Sequence, residues 1–346
     1  MEYSLEELKQ KSLQLLEKRL SRQVGLSGAH SKSHLTITAN LTQVVGKIYK
    51  FSEQELFLVY FAALFHDIVR SPSQDKDLKD EQLSAEQAVE LLENFEVTDE
   101  EKEAVSYAII NHGSNPSWME NPSTREDSPQ SLKEKIRFAL YVADKIEQNG
   151  VRVIARRSAF VAGERLNLPE GDLQDFGFKA GQDTLLVVAL ETVLRLTFIN
   201  PEYIYPEKLH SLVQPLYKIH REFVYSIIKA LNLTVEKIAQ ILITRKNSKN
   251  RNLLYGRTTE KIEDTDQLSD LIQSKGEIKN EQIQTISQEI VNASKDAIEY
   301  FSSNYRQDID KLMLNWNPQG DLAKTWHTKM VEYLNGTWLN QIENSI

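Results

Sequence analysis

Apolar residues recur along the chain at intervals of three and four, which is the spacing of one face of an α-helix. The N-terminal segment has this spacing, and so does the segment from Ile37 to Ile48. Ser52 and Glu55 form a capping box, which predicts a helix that begins there and ends near residue 66. Further helices are predicted at about 84–95, 99–112, 131–148 and 150–166. Strand-like alternation is scarce and hairpin turn pairs are absent, so the predicted fold class is all-α.

The helical pattern continues towards the C-terminus, with one interruption that indicates a domain boundary. The polar, basic stretch TRKNSKNRN occupies residues 244–252. We therefore predict one domain over residues 1–243, whose core spans residues 22–168, and a helical C-terminal region over residues 253–346. The segment between Asn111 and Ser131 is rich in Pro, Ser and Asn, and its length predicts a lid or a substrate-binding loop.

Charge and composition narrow the function. The 346-residue chain carries a net charge of −9, which argues against a general nucleic-acid binder. It has no cysteine, so disulfides are excluded and His, Asp and Glu remain as the metal ligands. No apolar run approaches about 18 residues, and the N-terminal segment lacks the apolar core of a signal peptide. We therefore expect a cytoplasmic protein that does not span a membrane; whether it forms a homo-oligomer stays open.

The stretch AALFHDIVR, residues 62–70, places His66 and Asp67 at the end of an almost wholly apolar run. Asp144 has a similar setting within ALYVADKIEQNG. A buried carboxylate is costly unless a metal ion or another cation pairs with it. A divalent cation accepts imidazole and carboxylate ligands together, so we predict a metal site here. His34, at the start of an apolar helical segment, is a further ligand that the sequence offers.

His34, the His66–Asp67 pair and Asp144 resemble the H…HD…D motif of the HD-domain metal-dependent phosphohydrolases. The segment ADKIEQNGVRVIARRSAF, residues 143–160, is also similar to that family, and the resemblance covers about residues 30–165. It implies an HD-domain helical bundle in which these four residues bind one divalent ion: Mn²⁺, Mg²⁺, Co²⁺, Ni²⁺ or Fe²⁺. It also implies hydrolysis of a phosphoester or pyrophosphate bond by a metal-activated water. The implied substrate is a small phosphorylated molecule, most often a nucleotide.

Four further positions are predicted to act beside the metal. Arg70 lies one helical turn beyond His66 and could hold a phosphate. His112 is a phosphate contact, a ligand to a second metal, or a helix-terminal residue that interacts with the dipole. Arg152 and Arg156, spaced i, i+4, could clamp a phosphate or pair with Glu147 or Glu164 on the surface. The predicted catalytic residues are Asp67, Arg70 and His112, and the predicted substrate-binding residues are Arg70, His112, Arg152 and Arg156.

Several alternatives stay open at this point. His30 competes with His34 as the first ligand, since the two are four residues apart. Asp144 could form an ion pair with Arg137 or Lys145 instead of binding a metal. An HD-fold di-iron oxygenase, similar to inositol oxygenase, would need more histidines than the single one found between Asp67 and Asp144. A non-catalytic protein that senses a ligand or binds a partner is the third possibility.

Overall fold

The computed structural model describes residues 3–21, 32–69, 80–114, 128–160, 205–230, 283–304, 307–337 and 340. All regular secondary structure in these residues is helical, which confirms the predicted all-α class. Within the same residues, no helix combines the length and the apolar character that crossing a membrane requires.

The described residues form two compact units. The first unit contains the residues up to Glu147 together with residues 205–209, and the second contains most of the remainder. The helices of the first unit are α1 Leu5–Leu20, α2 Lys32–Ile48, α3 Glu53–Phe65, α4 Asp80–Leu92, α5 Asp99–Asn111, α6 Leu132–Asn149 and a 3-10 helix Glu207–Leu209. The helices of the second are α7 Val153–Phe160, α8 His210–Ala230, α9 Ile283–Ser303, α10 Ile309–Asn315 and α11 Asp321–Leu334. The predicted boundary at 244–252 lies outside the described residues and stays a prediction.

The helix predictions correspond to observed helices, with shifts at their ends. The helix predicted at 84–95 begins at Asp80 and ends at Leu92. Residues 93–95 continue it as a turn in which each backbone N–H binds the carbonyl three residues earlier, a common way for an α-helix to end. The helix predicted at 150–166 begins at Val153 and is described as far as Phe160. The remainder of that prediction lies outside the described residues, as does most of the predicted loop after Asn111.

Helix α3 forms the centre of the first unit. Every residue from Leu56 to Phe65 is buried, so this helix is apolar all round and packs against α1, α2, α4 and α5. Its start has the predicted capping box: Glu55 donates its backbone N–H to Ser52 Oγ at 3.2 Å, and its carboxylate accepts the Ser52 N–H at 2.8 Å. The helix therefore begins at the surface and carries the residues that follow it into the interior.

A tight corner joins α2 to α3. Phe51 donates its N–H to the Gly46 carbonyl at 2.9 Å, and Lys50 donates to the Lys47 carbonyl at 3.0 Å, which is the Schellman arrangement. Lys50 has a φ of 57°, the left-handed conformation that this motif requires. A Cβ at Gly46 would lie 2.6 Å from Leu56 Cδ2, so the missing side chain lets α3 pack closely on α2. This corner holds together the two helices that carry the histidines described below.

Replacing Lys50 with glycine should stabilise the first unit, because glycine adopts a positive φ without the steric cost that a side chain carries. We expect the free energy of unfolding to rise by about 0.5–1 kcal/mol in a denaturant titration. Lys47→Gly is the matched control: it lies inside α2 and should lose about 1 kcal/mol. A Lys50→Gly protein no more stable than the parent would contradict this account of the corner.

Candidate metal centre

Four residues predicted from the sequence meet inside the first unit. His34 lies in the first turn of α2, His66 is the C-cap of α3, and Asp67 follows it. Asp144 lies within α6. His34, His66 and Asp144 have no exposed surface, and Asp67 is 3% exposed. The fold therefore gathers two imidazoles and two carboxylates from three helices in one buried cluster.

The distances within this cluster fit a shared ion better than direct pairing. His34 Nε2 lies 3.7 Å from Asp67 Oδ2 and 3.7 Å from Asp144 Oδ1. His66 Nε2 lies 3.5 Å and 3.7 Å from the same two oxygens. These separations exceed the 2.7–3.2 Å range of an ordinary N–H···O hydrogen bond. Two ligand atoms that each bind one ion at about 2.1 Å lie about 3.0–3.6 Å apart, so a small contraction would let all four hold a divalent cation.

The histidine rings are turned so that Nε2 faces the cluster. His66 Nδ1 lies 2.7 Å from the Ala63 carbonyl, and His34 Nδ1 lies 2.6 Å from Glu147 Oε2. A carbonyl or a carboxylate only accepts a hydrogen bond, so Nδ1 carries the hydrogen in both rings. In the neutral ring this leaves a lone pair on Nε2, the state that a metal ligand needs.

Helix ends explain how the sequence produces this orientation. The last carbonyls of an α-helix have no partner within the helix. His66 follows α3 and donates Nδ1–H to one of these carbonyls, that of Ala63. His112 also donates from Nδ1 at the end of α5, where this atom lies 2.6 Å from the Ile109 carbonyl, which accepts the His112 backbone N–H at 3.4 Å as well. A histidine at a helix C-terminus therefore satisfies the helix and presents Nε2 beyond it.

His112 extends the cluster through Asp67. Its Nε2 lies 3.7 Å from Asp67 Oδ1, whereas Asp67 Oδ2 faces His34 and His66. Two overlapping groups could thus bind a metal: His34, His66 and Asp144, and His66, Asp67 and His112. His112 therefore lies at a helix C-terminus and also beside the cluster, so these two interpretations are compatible with each other.

The charges around the cluster shift the pKa values of its members. Burial would raise the pKa of Asp144, but the ammonium of Lys145, 3.2 Å from Oδ2, together with His66 and His34 holds it well below its usual range. Burial would lower the pKa of His66, but the carboxylates of Asp67 and Asp144 outweigh it and raise the pKa. Burial lowers the pKa of His112, and the charge of His66 lowers it further. Asp144 thus stays ionised and the ring of His112 stays neutral, whereas His66 must lose its proton before it can bind a metal.

The other predicted residues do not all fall in this cluster. Arg70 and His30 lie outside the described residues. Arg152 belongs to the second unit, where it is fully buried and donates from Nη2 to Asp310 Oδ1 at 2.7 Å. Arg156 is buried in the same unit.

Two residues that contact the cluster were not among the predicted site residues. Glu147 was considered only as a surface partner for arginine, yet it has no exposed surface and binds His34. Lys145 was considered only as an alternative to the metal, and it contacts the outer oxygen of Asp144 while Oδ1 faces the histidines. The available signal was the spacing: Glu147 lies three residues beyond Asp144, on the same apolar face of a helix.

The first unit is all-helical in its described residues and buries a cluster of histidines and aspartates that could hold a metal ion. Residues 28–149 match the family model of the HD domain, so the chain carries an HD domain, as the H…HD…D resemblance predicted. Most HD domains are metal-dependent hydrolases that bind divalent ions, and the buried groups described above could hold one. Comparison with curated proteins and with solved structures finds no significant match.

Metal affinity should fall as the solution becomes more acidic. An ion must displace the proton of a protonated imidazole, and the neighbouring carboxylates raise the pKa of His66. As the pH is lowered, we expect Mn²⁺ affinity to begin to fall before the pH reaches 6.5, the ordinary pKa of histidine, and to continue falling below that pH. Titrations of the metal-free protein with Mn²⁺ over a pH series would measure this. An affinity that stays constant from about pH 8 to pH 5.5 would contradict imidazole ligation.

Proposed function

We propose that this chain is a metal-dependent phosphohydrolase that cleaves a phosphoester or pyrophosphate bond in a small phosphorylated molecule such as a nucleotide. One divalent ion would be held by His34, His66, Asp67 and Asp144. The observation that carries the proposal is the set of four cross-distances of 3.5–3.7 Å between buried imidazole nitrogens and carboxylate oxygens within an HD domain. An ion bound there would supply a water of lowered pKa and would neutralise charge on a phosphoryl oxygen.

His112 is suited to accept a proton in this reaction. Its Nδ1–H is committed to the Ile109 carbonyl, so Nε2 carries the lone pair. Burial and the charge of His66 lower its pKa, which keeps the ring neutral at working pH. Asp67 Oδ1 lies 3.7 Å from that nitrogen and would stabilise the imidazolium once the proton has arrived.

Arginine side chains would bind the phosphate. Arg70 follows Val69, whose N–H binds Ser84 Oγ at 3.1 Å, so the chain that leaves the His66–Asp67 pair is held against α4. A guanidinium at position 70 stays protonated and would stabilise charge on the phosphoryl group instead of acting as a base. Arg152 and Arg156 remain proposed phosphate contacts. The Asp310 ion pair of Arg152 gives that residue a structural part in the second unit as well.

A di-iron oxygenase is the second candidate function. The observation in its favour is that Asp67 presents its two oxygens to different histidines, Oδ2 to His66 and Oδ1 to His112, as a carboxylate that bridges two ions would. The number of described ligands favours the hydrolase, because His112 is the one further histidine in this cluster among the described residues.

Hydrolysis of a panel of phosphorylated substrates should require metal. The ligand residues should be needed both for metal binding and for hydrolysis. We expect EDTA to abolish activity and Mn²⁺ to restore it, with about one ion bound per chain. His66→Ala and Asp67→Ala should lose both the ion and the activity, and Asp144→Asn, which removes a charge at constant volume, should bind metal much more weakly.

Metal analysis, circular dichroism and phosphate release would be measured on the same samples, so that loss of fold is separated from loss of metal. Full activity with metal still bound in any of the three variants would contradict the ligand assignment. Two irons per chain with oxygen consumption would favour the oxygenase. A bound ion without any hydrolysis would favour a ligand-sensing role.

Arg70→Ala should retain the ion, since arginine is not a ligand, but should lose about ten- to a thousand-fold in kcat/KM. That loss corresponds to about 1.4–4 kcal/mol of transition-state stabilisation. Arg70→Lys is the matched variant. It keeps the charge without the bidentate geometry, so its activity should lie between that of the parent and that of Arg70→Ala. Unchanged kinetics of Arg70→Ala on the best substrate would place Arg70 outside the phosphate site.

A further inference from the structure

His34 differs from the other histidines of the metal centre in what holds its ring. His66 and His112 each bind a backbone carbonyl three residues earlier in the chain. His34 Nδ1 instead binds the carboxylate of Glu147, a residue 113 positions further along the chain, at 2.6 Å. The orientation of His34 therefore depends on a side chain that can be replaced, whereas the other two rings depend on the backbone.

Glu147 occupies a costly position for a carboxylate. It has no exposed surface, and a buried carboxylate is unfavourable unless it is hydrogen-bonded and its charge is compensated. It lies three residues beyond Asp144, so both carboxylates share one face of α6 and repel one another. The His34 ring contacts both of them, Glu147 through Nδ1 at 2.6 Å and Asp144 through Nε2 at 3.7 Å.

The balance of formal charges also indicates that Glu147 belongs to the metal centre. Among the described charged residues around the cluster, Asp67, Asp144 and Glu147 supply three negative charges, and Lys145 supplies one positive charge. Over these four residues, the formal charges add up to two negative charges when the histidines are neutral. A divalent ion would neutralise them, and without Glu147 the same ion would leave a net positive charge in a buried site.

We propose that Glu147 is the positioning residue of this centre. Its carboxylate keeps the hydrogen of His34 on Nδ1, so that Nε2 keeps its lone pair for the ion. The inference rests on the metal centre of the proposed function, and it assigns to Glu147 a role that acts through His34 without contact with ion or substrate.

Two substitutions separate the parts of this role. Glu147→Gln keeps an oxygen that can accept from Nδ1–H but removes the negative charge. Glu147→Leu removes the acceptor as well. The matched control is Glu55→Gln, because Glu55 also links another helix to α6, through Lys135 Nζ at 2.6 Å, but contacts none of the metal-centre residues in its described bonds.

Two measurements are made on each protein. Mn²⁺ affinity is determined by titration of the metal-free protein. The tautomer of His34 is determined by nitrogen-15 NMR of the metal-free protein, well above the ordinary histidine pKa of about 6.5. We expect Glu147→Gln to retain the parent tautomer and bind Mn²⁺ about tenfold more weakly. Glu147→Leu should shift hydrogen onto His34 Nε2 and lose about a hundred-fold in affinity. Glu55→Gln should match the parent in both measurements.

A Glu147→Leu protein with the parent tautomer and affinity would overturn the proposal, and so would an equal loss of affinity in Glu55→Gln. If Glu147→Leu does not fold, Glu147→Gln decides, and parent affinity there overturns the proposal. The tautomer is measured without metal or substrate. A parent protein that hydrolyses nothing would therefore refute the proposed function, whereas the role of Glu147 would still be decided by the tautomer and the Mn²⁺ affinity.

Discussion

The carboxylates of Asp67, Asp144 and Glu147 lie almost wholly out of water, and each would be strongly destabilising there on its own. Two of them are met by partners that reduce this cost: Asp144 by the ammonium of Lys145, and Glu147 by the Nδ1–H of the His34 ring. Asp67 faces the Nε2 atoms of three imidazoles at 3.5–3.7 Å, which compensate its charge only if they are protonated or share a cation with it. A divalent ion that binds these groups in the folded protein, and not in the unfolded chain, would therefore stabilise the folded state.

The helices of the first unit are arranged to deliver these groups. An apolar helix such as α3 can be surrounded by other helices, and only its ends are free for polar residues. The His66–Asp67 pair stands at such an end, and His112 stands at the end of α5. In both places a carbonyl of the last turn accepts the histidine Nδ1–H, so the end of the helix also orients the ring of a candidate metal ligand.

The all-α fold class and the central residues of the candidate site could be predicted because their sequence signals are local. The 3.6-residue period and the Ser52 capping box gave the helices, and polar residues within apolar runs marked His66, Asp67 and Asp144 as groups that need a partner. His34 stood out less, as a histidine at the start of an apolar helix, and the motif resemblance added it. Helix ends were displaced where a tighter turn takes over from the α-helix, as after Leu92, because no residue type marks that change.

Tertiary pairing was the part that the sequence could not supply. From the sequence, Glu147 was expected only as a surface partner for arginine, and Arg152 either as a phosphate contact or as one half of a surface ion pair. Both are buried because of a distant partner that packs against each of them: His34 in one case and Asp310, 158 positions away, in the other. A long-range ion pair leaves no periodic trace in either segment. The same reasoning explains why the candidate metal ligands were easier to identify from the sequence than the residues that would select a substrate. A buried carboxylate is anomalous in any context, whereas an arginine that binds phosphate looks like any other solvated arginine until its neighbours are known.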